Sequence, residues 1–405
     1  MSSVYPLLDK CLAGNTPPLL PVPEPSTSSH HQRHHLLTTH FSGKKAPGAA
    51  LIMATSGTTG NPKGARLSSA ALRASCDSTH AALGGSGRWL LAVPAHHIIG
   101  MQVILRSLHA GYTPLALPHT TSFFPAELLT GVHQLLSDPT SPRRYMSLVP
   151  SQFDTLLRNS TSHDPTIRAL AEGVLETLSH LDAIVSGGAP LPAPQLAELR
   201  SRGIPVVPGY GSSEVAGGVL FDGRPGPATR IQVDSVTHRI SIGGATLADG
   251  YVTHDDNDPD TADEVWETRG AERWFHTQDA GHYDPDGKLV IDGRLDQAIN
   301  CGGLIVMPQP LEASLHAAQV AADVAIVGIP DSHFGECISV VIVKDPTHCT
   351  PTLRQLQQIV EREHGHHAIP RSLFVADEFP RTGSGKLNRN ELKNQIMRGE
   401  LAASS

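Results

Sequence analysis

An apolar run, Ala49-Ala50-Leu51-Ile52-Met53-Ala54, leads without a break into Thr55-Ser56-Gly57-Thr58-Thr59-Gly60-Asn61-Pro62-Lys63-Gly64. The run reads as a buried strand, and Ser68, ahead of Ser69-Ala70-Ala71-Leu72, is placed to cap a helix. The stretch between them constrains the chain more than any other. Its glycines let the backbone take positive φ and approach a ligand closely. Exposed N–H groups, several hydroxyls and one lysine then supply donors suited to phosphate oxygens. It is not a Walker loop, because no Gly precedes Lys63 and Gly64 stands where that motif requires Ser or Thr. A mobile Gly/Ser/Thr turn is the plainer reading of a shorter stretch of this kind.

The chain on either side organises itself around that loop. Residues Pro17 to Pro47 are rich in Pro, Ser, Thr and His, so 1–48 reads as an irregular lead-in. From Ala49 short apolar runs alternate with helical segments. Trp89–Pro94, Tyr112–Leu117, Tyr145–Val149 and Leu181–Val185 read as strands. Ile98–Ala110, Pro125–Ser137, Ser151–Arg158 and Pro192–Arg202 read as helices. Such alternation predicts α/β architecture, with sheets covered by helices. Beyond Gly217 the pattern turns β-rich, with strands at Val219–Phe221, Arg230–Val233, His238–Ile242 and Lys288–Ile291. After Arg294 a second, small α+β unit is expected, with helices over Gln309–Ala318, Pro351–His364 and Asn388–Met397. The expected division is therefore a lead-in over 1–48, a large helix-covered domain with a β-rich subdomain over 49–294, and a small mobile C-terminal domain over 295–405.

Composition excludes several classes. A formal net charge of −8 gives no basic surface for nucleic acid. No apolar run approaches the roughly 20 residues that span a bilayer, and Met1–Pro6 does not open like a secretory leader. The 5 cysteines are widely spaced with no C-x-x-C pair, which reads as reduced thiols in a cytoplasmic protein. The 23 histidines show no zinc-site spacing.

Thr-Ser-Gly-Thr-Thr-Gly-x-Pro-Lys-Gly resembles the phosphate-binding loop of the adenylate-forming acyl-CoA synthetase superfamily, and four further stretches resemble its other motifs in the same order. Gly209-Tyr210-Gly211-Ser212-Ser213-Glu214 is similar to the segment whose aromatic ring lies by adenine, whose hydroxyl meets the adenylate phosphate and whose carboxylate holds Mg²⁺. A hard divalent cation takes oxygen ligands, often one or two carboxylates plus nucleotide phosphates. Trp274-Phe275-His276-Thr277-Gln278-Asp279-Ala280-Gly281 resembles the ribose-binding segment, with Gln278 in place of the usual Gly. Gly293-Arg294-Leu295-Asp296 resembles the hinge, and Pro380-Arg381-Thr382-Gly383-Ser384-Gly385-Lys386-Leu387 the C-terminal lysine loop.

The resemblance covers Ala49 to about Met397 and implies ATP, Mg²⁺ and CoA as cofactors. It implies Lys386, Glu214, Ser213 and His97 as catalytic residues, with Glu214 as the metal ligand. Thr55, Ser56, Gly57, Thr58, Thr59, Gly60 and Lys63, then Gly188, Tyr210, Gly211, Asp279 and Arg294, would hold the nucleotide, and Asp296 would be the pivot of the small domain. Members of the superfamily carry a longer segment before the phosphate loop, so a pared-down first subdomain is expected.

The acid is read from Pro94-Ala95-His96-His97-Ile98-Ile99-Gly100, which sits where the superfamily places a His in the acyl pocket. On the helix that follows, Arg106 is either a solvated surface residue or a buried partner for an anion. His-Ile-Ile-Gly-x-x-x-x-x-Arg-Ser-Leu, with Ser147-Leu148-Val149-Pro150 and Ser186-Gly187-Gly188-Ala189-Pro190, resembles the o-succinylbenzoate–CoA ligases of menaquinone synthesis. This resemblance implies o-succinylbenzoate as the substrate. One of its carboxylates is activated and the aromatic one needs a cation, for which Arg106 fits through bidentate pairing. Ser147 and Gly209 are the other implied substrate contacts, although Ser147 reads equally as a small core residue. A ligase for another acyl or aryl acid and a non-catalytic nucleotide-binding protein are the alternatives. The oligomeric state is left open.

Overall fold

The computed structural model describes residues 5–14, 17–25, 27–41, 46–55, 63–252, 265–344, 350–381 and 387–404. The irregular lead-in expected over 1–48 is corrected first, because it contains two helices. In α1 (Tyr5–Leu12) the buried residues Leu8, Cys11 and Leu12 fall on one face. They join the core around Leu72 and Cys76. In α2 (Ser28–Phe41) the Thr27 hydroxyl caps the first turn by accepting from His30 N at 3.2 Å. The prolines that suggested disorder flank this helix and none lies within it. Its all-round polarity hid the two apolar residues, Leu37 and Phe41, that anchor it.

Strand β1 (Ala49–Ala54) pairs antiparallel with β2 (Gly64–Ser68), so the expected strand–loop–helix junction is a hairpin. Ala65 and Leu67 are buried and Arg66 is not, a period-two signal in a segment too short to stand out. Leu37 and Phe41 pack beside Ala49 and Ile52. Phe41 fills the space over Gly64 so closely that a methyl there would lie 2.9 Å from its ring. Helix α3 (Ser69–Ala82) begins as expected, with the Ser68 hydroxyl accepting from Ala71 N at 3.2 Å.

The next strands and helices alternate along the chain: β3 (Arg88–Leu91), α4 (Ile98–His109), β4 (Leu115–Ala116), α5 (Pro125–Leu136), β5 (Arg144–Leu148), α6 (Pro150–Ser160), α7 (Pro165–Leu178), β6 (Ala183–Ser186), α8 (Ala193–Ser201) and β7 (Val206–Ser212). The strands from β3 to β7 are parallel. The sheet continues through antiparallel β8 (Gly217–Phe221) and β9 (Arg224–Pro225), in the order β4-β3-β5-β6-β7-β8-β9. Strand alternation divides its core. Trp89, Leu91, Tyr145 and Val185 face α3 and α4, whereas Leu90, Met146, Leu148, Ile184 and Val206 face α5 to α8. Helix α7 was not anticipated, although Asp164 caps it from ahead of Pro165.

The β-rich part comprises β10 (Thr229–Val233), β11 (Arg239–Gly244), β12 (Tyr251–Val252), β13 (Trp266–Arg269), β14 (Glu272–Tyr283) and β15 (Leu289–Arg294). β12 joins the β1–β2 hairpin, and the others form a sheet in the order β10-β11-β14-β13 with β15 beside β14. The C-terminal part contains β16 (Ile299–Cys301), β17 (Leu304–Val306), α9 (Pro308–Ala317), β18 (Asp323–Asp331), β19 (Gly335–Val343), α10 (Leu353–His364), β20 (Ser372–Ala376), α11 (Arg389–Met397) and β21 (Ala402–Ser404). Its strands order as β17-β16-β19-β20-β21, with β18 beside β19, around cores of their own. Arg389 ties these elements together. Its Nη2 donates to Glu312 Oε2 at 2.6 Å, and Glu312 Oε1 accepts from Ile326 N at 2.7 Å. No helix among the described residues is long and apolar enough to cross a membrane.

Candidate active site

The end of β7 is built where only small residues fit. A methyl on Gly211 would lie 1.8 Å from Gly217 O, and one on Gly209 would lie 2.9 Å from Val185 Cγ1. The chain then turns through Ser213–Val215 to Ala216, whose φ of 54° is left-handed. Ser75 Oγ and Gln102 Nε2 both donate to Ala216 O, at 2.7 and 2.6 Å, which ties this turn to α3 and α4.

Four of the expected nucleotide and hinge residues converge beside that turn. Tyr210 Oη donates to Asp279 Oδ2 at 2.6 Å. Asp279 on β14 is paired in register with Arg294 on β15, whose Nη1 lies 3.9 Å from Asp279 Oδ1. The Arg294 guanidinium makes a fork to Asp296, with Nε to Oδ1 at 2.9 Å and Nη2 to Oδ2 at 2.6 Å. Thr277 Oγ1 accepts from Asp279 N at 3.0 Å and so fixes the carboxylate from behind. Burial, reinforced by Asp279, holds the Tyr210 hydroxyl well above its ordinary pKa, so it stays a donor.

Glu214 lies on the same turn and accepts from Tyr251 Oη at 2.9 Å. Lys63 Nζ is 5.5 Å from the Tyr251 ring centroid, so Tyr251 bridges the phosphate-loop hairpin and the Glu214 turn. Thr55 N donates to Lys63 O at 2.7 Å and closes the base of the loop. Ser56, Gly57, Thr58, Thr59, Gly60 and Lys386 lie outside the described residues. Ser213 is buried and its carbonyl accepts from Ala216 N. Among the described residues no group of three or more His, Cys, Asp and Glu side chains is gathered as a metal cage. Mg²⁺ takes few protein ligands and completes its shell with phosphate oxygens and water, so the single carboxylate of Glu214 is compatible with it.

Of the residues expected on the acyl side, Ser147 and Gly209 lie on the sheet face that α4 covers. His97 is the N-cap of α4 through its backbone, and its ring lies 4.2 Å from that of His96. Ser147 is fully buried beside Val185, its neighbour in the ladder, and its hydroxyl has no partner. Gly209 stands over Val185 on the same face. Gly188, in the loop after β6, has a φ of 85°. Arg106 is not the solvated surface residue that the sequence allowed, because it is 2% exposed. Its guanidinium lies 5.0 Å from the Trp89 ring centroid, and its Nε has no hydrogen-bond partner. Burial pushes its pKa down to about 10, so it remains a cation at neutral pH, and among the described residues no carboxylate pairs with it.

The match to known families follows this geometry. Residues 18–251 match the AMP-binding enzyme family and residues 311–386 match the AMP-binding enzyme C-terminal domain. The chain belongs to the AMP-binding enzymes. It is 39% identical over 392 residues to a probable 2-succinylbenzoate–CoA ligase of Mycobacterium tuberculosis, covering 96% of this chain and 94% of that one. It is 30% identical to a 4-chlorobenzoate–CoA ligase of Arthrobacter, covering 89% of this chain and 68% of that one. Among solved structures it resembles o-succinylbenzoate–CoA synthetase of Bacillus subtilis in complex with its acyl-adenylate intermediate, with a TM-score of 0.70 and 25% identity over 86% of this chain and 70% of that one.

Three residues of this AMP-binding enzyme join the site without having been singled out from sequence. Tyr251 holds Glu214, and no motif surrounds it. Gln102 is a buried amide inside an apolar helix, and that polarity was the available signal. Trp89, the second residue of β3, becomes a platform for Arg106 only when the strand packs under α4.

Proposed function

We propose that this AMP-binding enzyme is an o-succinylbenzoate–CoA ligase of menaquinone biosynthesis, acting in the cytoplasm. In the first half-reaction a succinyl carboxylate oxygen attacks the α-phosphorus of ATP and pyrophosphate leaves. In the second, the CoA thiol sulfur attacks the acyl carbon, AMP leaves, and the thiol proton passes to solvent. The observation that carries the reading is the buried, carboxylate-free Arg106 on the same sheet face as Ser147 and Gly209. The likeness to a probable 2-succinylbenzoate–CoA ligase across almost the whole chain supports it independently.

In this reading the Tyr210 ring lies against adenine, and Asp279 and Arg294 take the ribose hydroxyls. The phosphate loop, with Thr55 and Lys63 at its base, takes the phosphates. Mg²⁺ held by Glu214 would neutralise phosphate charge. Lys386 brings a positive charge to the reacting carboxylate and α-phosphate, and positioning together with charge stabilisation accounts for the acceleration. His97 borders the acyl carboxylate, and Ser213 the adenylate phosphate. Residues 295–405 then turn about Asp296, so that the second half-reaction meets a different face of the small domain.

The test is CoA-thioester formation from a panel of o-succinylbenzoate, 4-chlorobenzoate, benzoate and fatty acids. The expected result is a strong preference for o-succinylbenzoate. A preference for a monocarboxylic aryl acid would move the reading to the activity named for the Arthrobacter relative. Absence of ATP–pyrophosphate exchange with every acid would leave a nucleotide-binding protein without ligase activity.

A further inference from the structure

Two glycines follow the turn at Ala216, and only the first is demanded by the protein. Gly217 has a φ of 104°, and a methyl on it would lie 2.8 Å from Gln102 Cγ. Backbone and packing both call for glycine there. Gly218, the second residue of β8, is different. Its φ lies outside the left-handed region, and a methyl built on it would meet nothing closer than 3.5 Å. Within a strand alanine is the more stabilising of the two residues. A glycine that neither backbone nor packing requires leaves room for something else.

The borders of that room are specific. The atoms nearest the missing methyl are Cε1 and Cζ of the Phe221 ring, both at 3.5 Å, followed by Arg106 Nη2 at 3.7 Å. Phe221 and Arg106 are buried, whereas Gly218 is half-buried between buried neighbours. The bare backbone of Gly218 is thus the half-open side of a space walled by an aromatic edge and a guanidinium. Arg106 Nε has no hydrogen-bond partner, so the fork keeps donor capacity. An aryl ring packs favourably against the edge of another. A carboxylate carried on that aryl ring then meets the guanidinium through a charge-assisted hydrogen bond.

We propose that Gly218 is a specificity-determining residue, whose missing side chain vacates the space taken by the aromatic carboxylate of the acid, between the Phe221 ring and Arg106 Nη2. The inference rests on the o-succinylbenzoate reading above. It adds the residue that decides whether a carboxylate can reach the buried cation at all. A larger side chain at position 218 turns the pocket towards acids whose ring carries no carboxylate.

The experiment compares o-succinylbenzoate with 3-benzoylpropionate, which lacks the aromatic carboxylate, in wild type, Gly218→Ala and Gly218→Ser. Turnover is read as kcat/KM and binding by calorimetry. Loss of a charge-assisted hydrogen bond corresponds to about ten- to a hundredfold. Gly218→Ala should lower kcat/KM for o-succinylbenzoate by about that factor, and Gly218→Ser, with one more atom, by at least as much. Turnover of 3-benzoylpropionate should change less than about twofold, and the melting temperature of Gly218→Ala should hold or rise. In an Arg106→Met background the same substitution should cost o-succinylbenzoate less than about twofold, because the pairing is already gone. Equal losses for the two acids would overturn the proposal by making Gly218 a backbone requirement, and unchanged o-succinylbenzoate turnover would overturn it outright. Should Gly218→Ala lower the melting temperature, the ratio between the two acids within that variant still reads the effect. If wild type forms no thioester from o-succinylbenzoate, the reading of the acid falls. The inference falls only if wild type also binds o-succinylbenzoate no more tightly than 3-benzoylpropionate, or if Gly218→Ala leaves that difference intact.

Discussion

The Tyr210 hydroxyl, at the end of one sheet, lies 2.6 Å from Asp279 Oδ2 in the middle strand of another. A single hydrogen bond thus joins the residue expected by the adenine to the one expected at the ribose. Asp279→Asn should weaken AMP about ten- to a hundredfold, since a charged hydrogen bond is worth about 1.5–3 kcal/mol. Tyr210→Phe keeps the ring and should cost about three- to tenfold. Titration calorimetry with AMP checks both, and a larger loss in Tyr210→Phe than in Asp279→Asn would reverse the assignment.

Arg106 invites a prediction in which stability and activity move apart. Replacing a buried, uncompensated cation by an apolar side chain of similar length removes a desolvation cost. Arg106→Met should therefore leave the melting temperature unchanged or raise it. Its kcat/KM for o-succinylbenzoate should fall about ten- to a hundredfold. An analogue lacking the aromatic carboxylate should be poor with wild type and lose little more in the variant, which distinguishes pairing from general damage. Equal losses for the acid and the analogue would make Arg106 structural.

His80, behind Arg106, governs part of the acid limb of stability. It is 6% exposed and its Nε2 has no partner. Burial first, then Arg106 and His109, pushes its pKa from 6.5 to about 4. The unfolded chain takes up the proton near the ordinary value and the native one does not, so stability is full above pH 6.5 and is lost as pH falls from 6.5 towards 4. At about 1.4 kcal/mol for each unit, the loss reaches about 3 kcal/mol. Urea unfolding of His80→Gln across that range should show a flatter profile than wild type.

In the proposed mechanism Asp296 and Lys386 serve different half-reactions. The fork from Arg294 to Asp296 lies at the proposed pivot, and proline at 296 would remove it and stiffen the backbone there. Asp296→Pro should still form acyl-adenylate but stall transfer to CoA. Asp296→Ala, which loses the fork and keeps the freedom, should retain transfer. Lys386→Ala should lower adenylation by about 10²–10³ and spare thioester formation from supplied acyl-adenylate. Single-turnover assays of each half-reaction decide both.

Much of the site was legible because its parts are local motifs in a fixed order. Ser212-Ser213-Glu214, Thr277-Gln278-Asp279 and Arg294-Leu295-Asp296 each carry their chemistry within a few residues. The strands of the large sheet were legible for another reason, since buried parallel strands are continuous apolar runs. What escaped notice depends on packing across long separations. Arg106 on an apolar helix read as either a surface residue or a buried one, and its burial emerges only when Trp89 and Gly218 close around it. Tyr251 acquires its role only through Glu214, which sits on another element. The lead-in escaped because α2 is polar all round, and its single useful face emerges only when β1 lies beneath it.

The Phe41 ring occupies the volume that a side chain on Gly64 would need, with Ile52 closing the same gap from the other side. These positions therefore cannot drift independently. A lineage that enlarged residue 64 while keeping Phe41 and Ile52 would have to displace α2 or β1, whereas one that first trimmed both would open room for the larger neighbour. Residues 41, 52 and 64 therefore constrain one another's size.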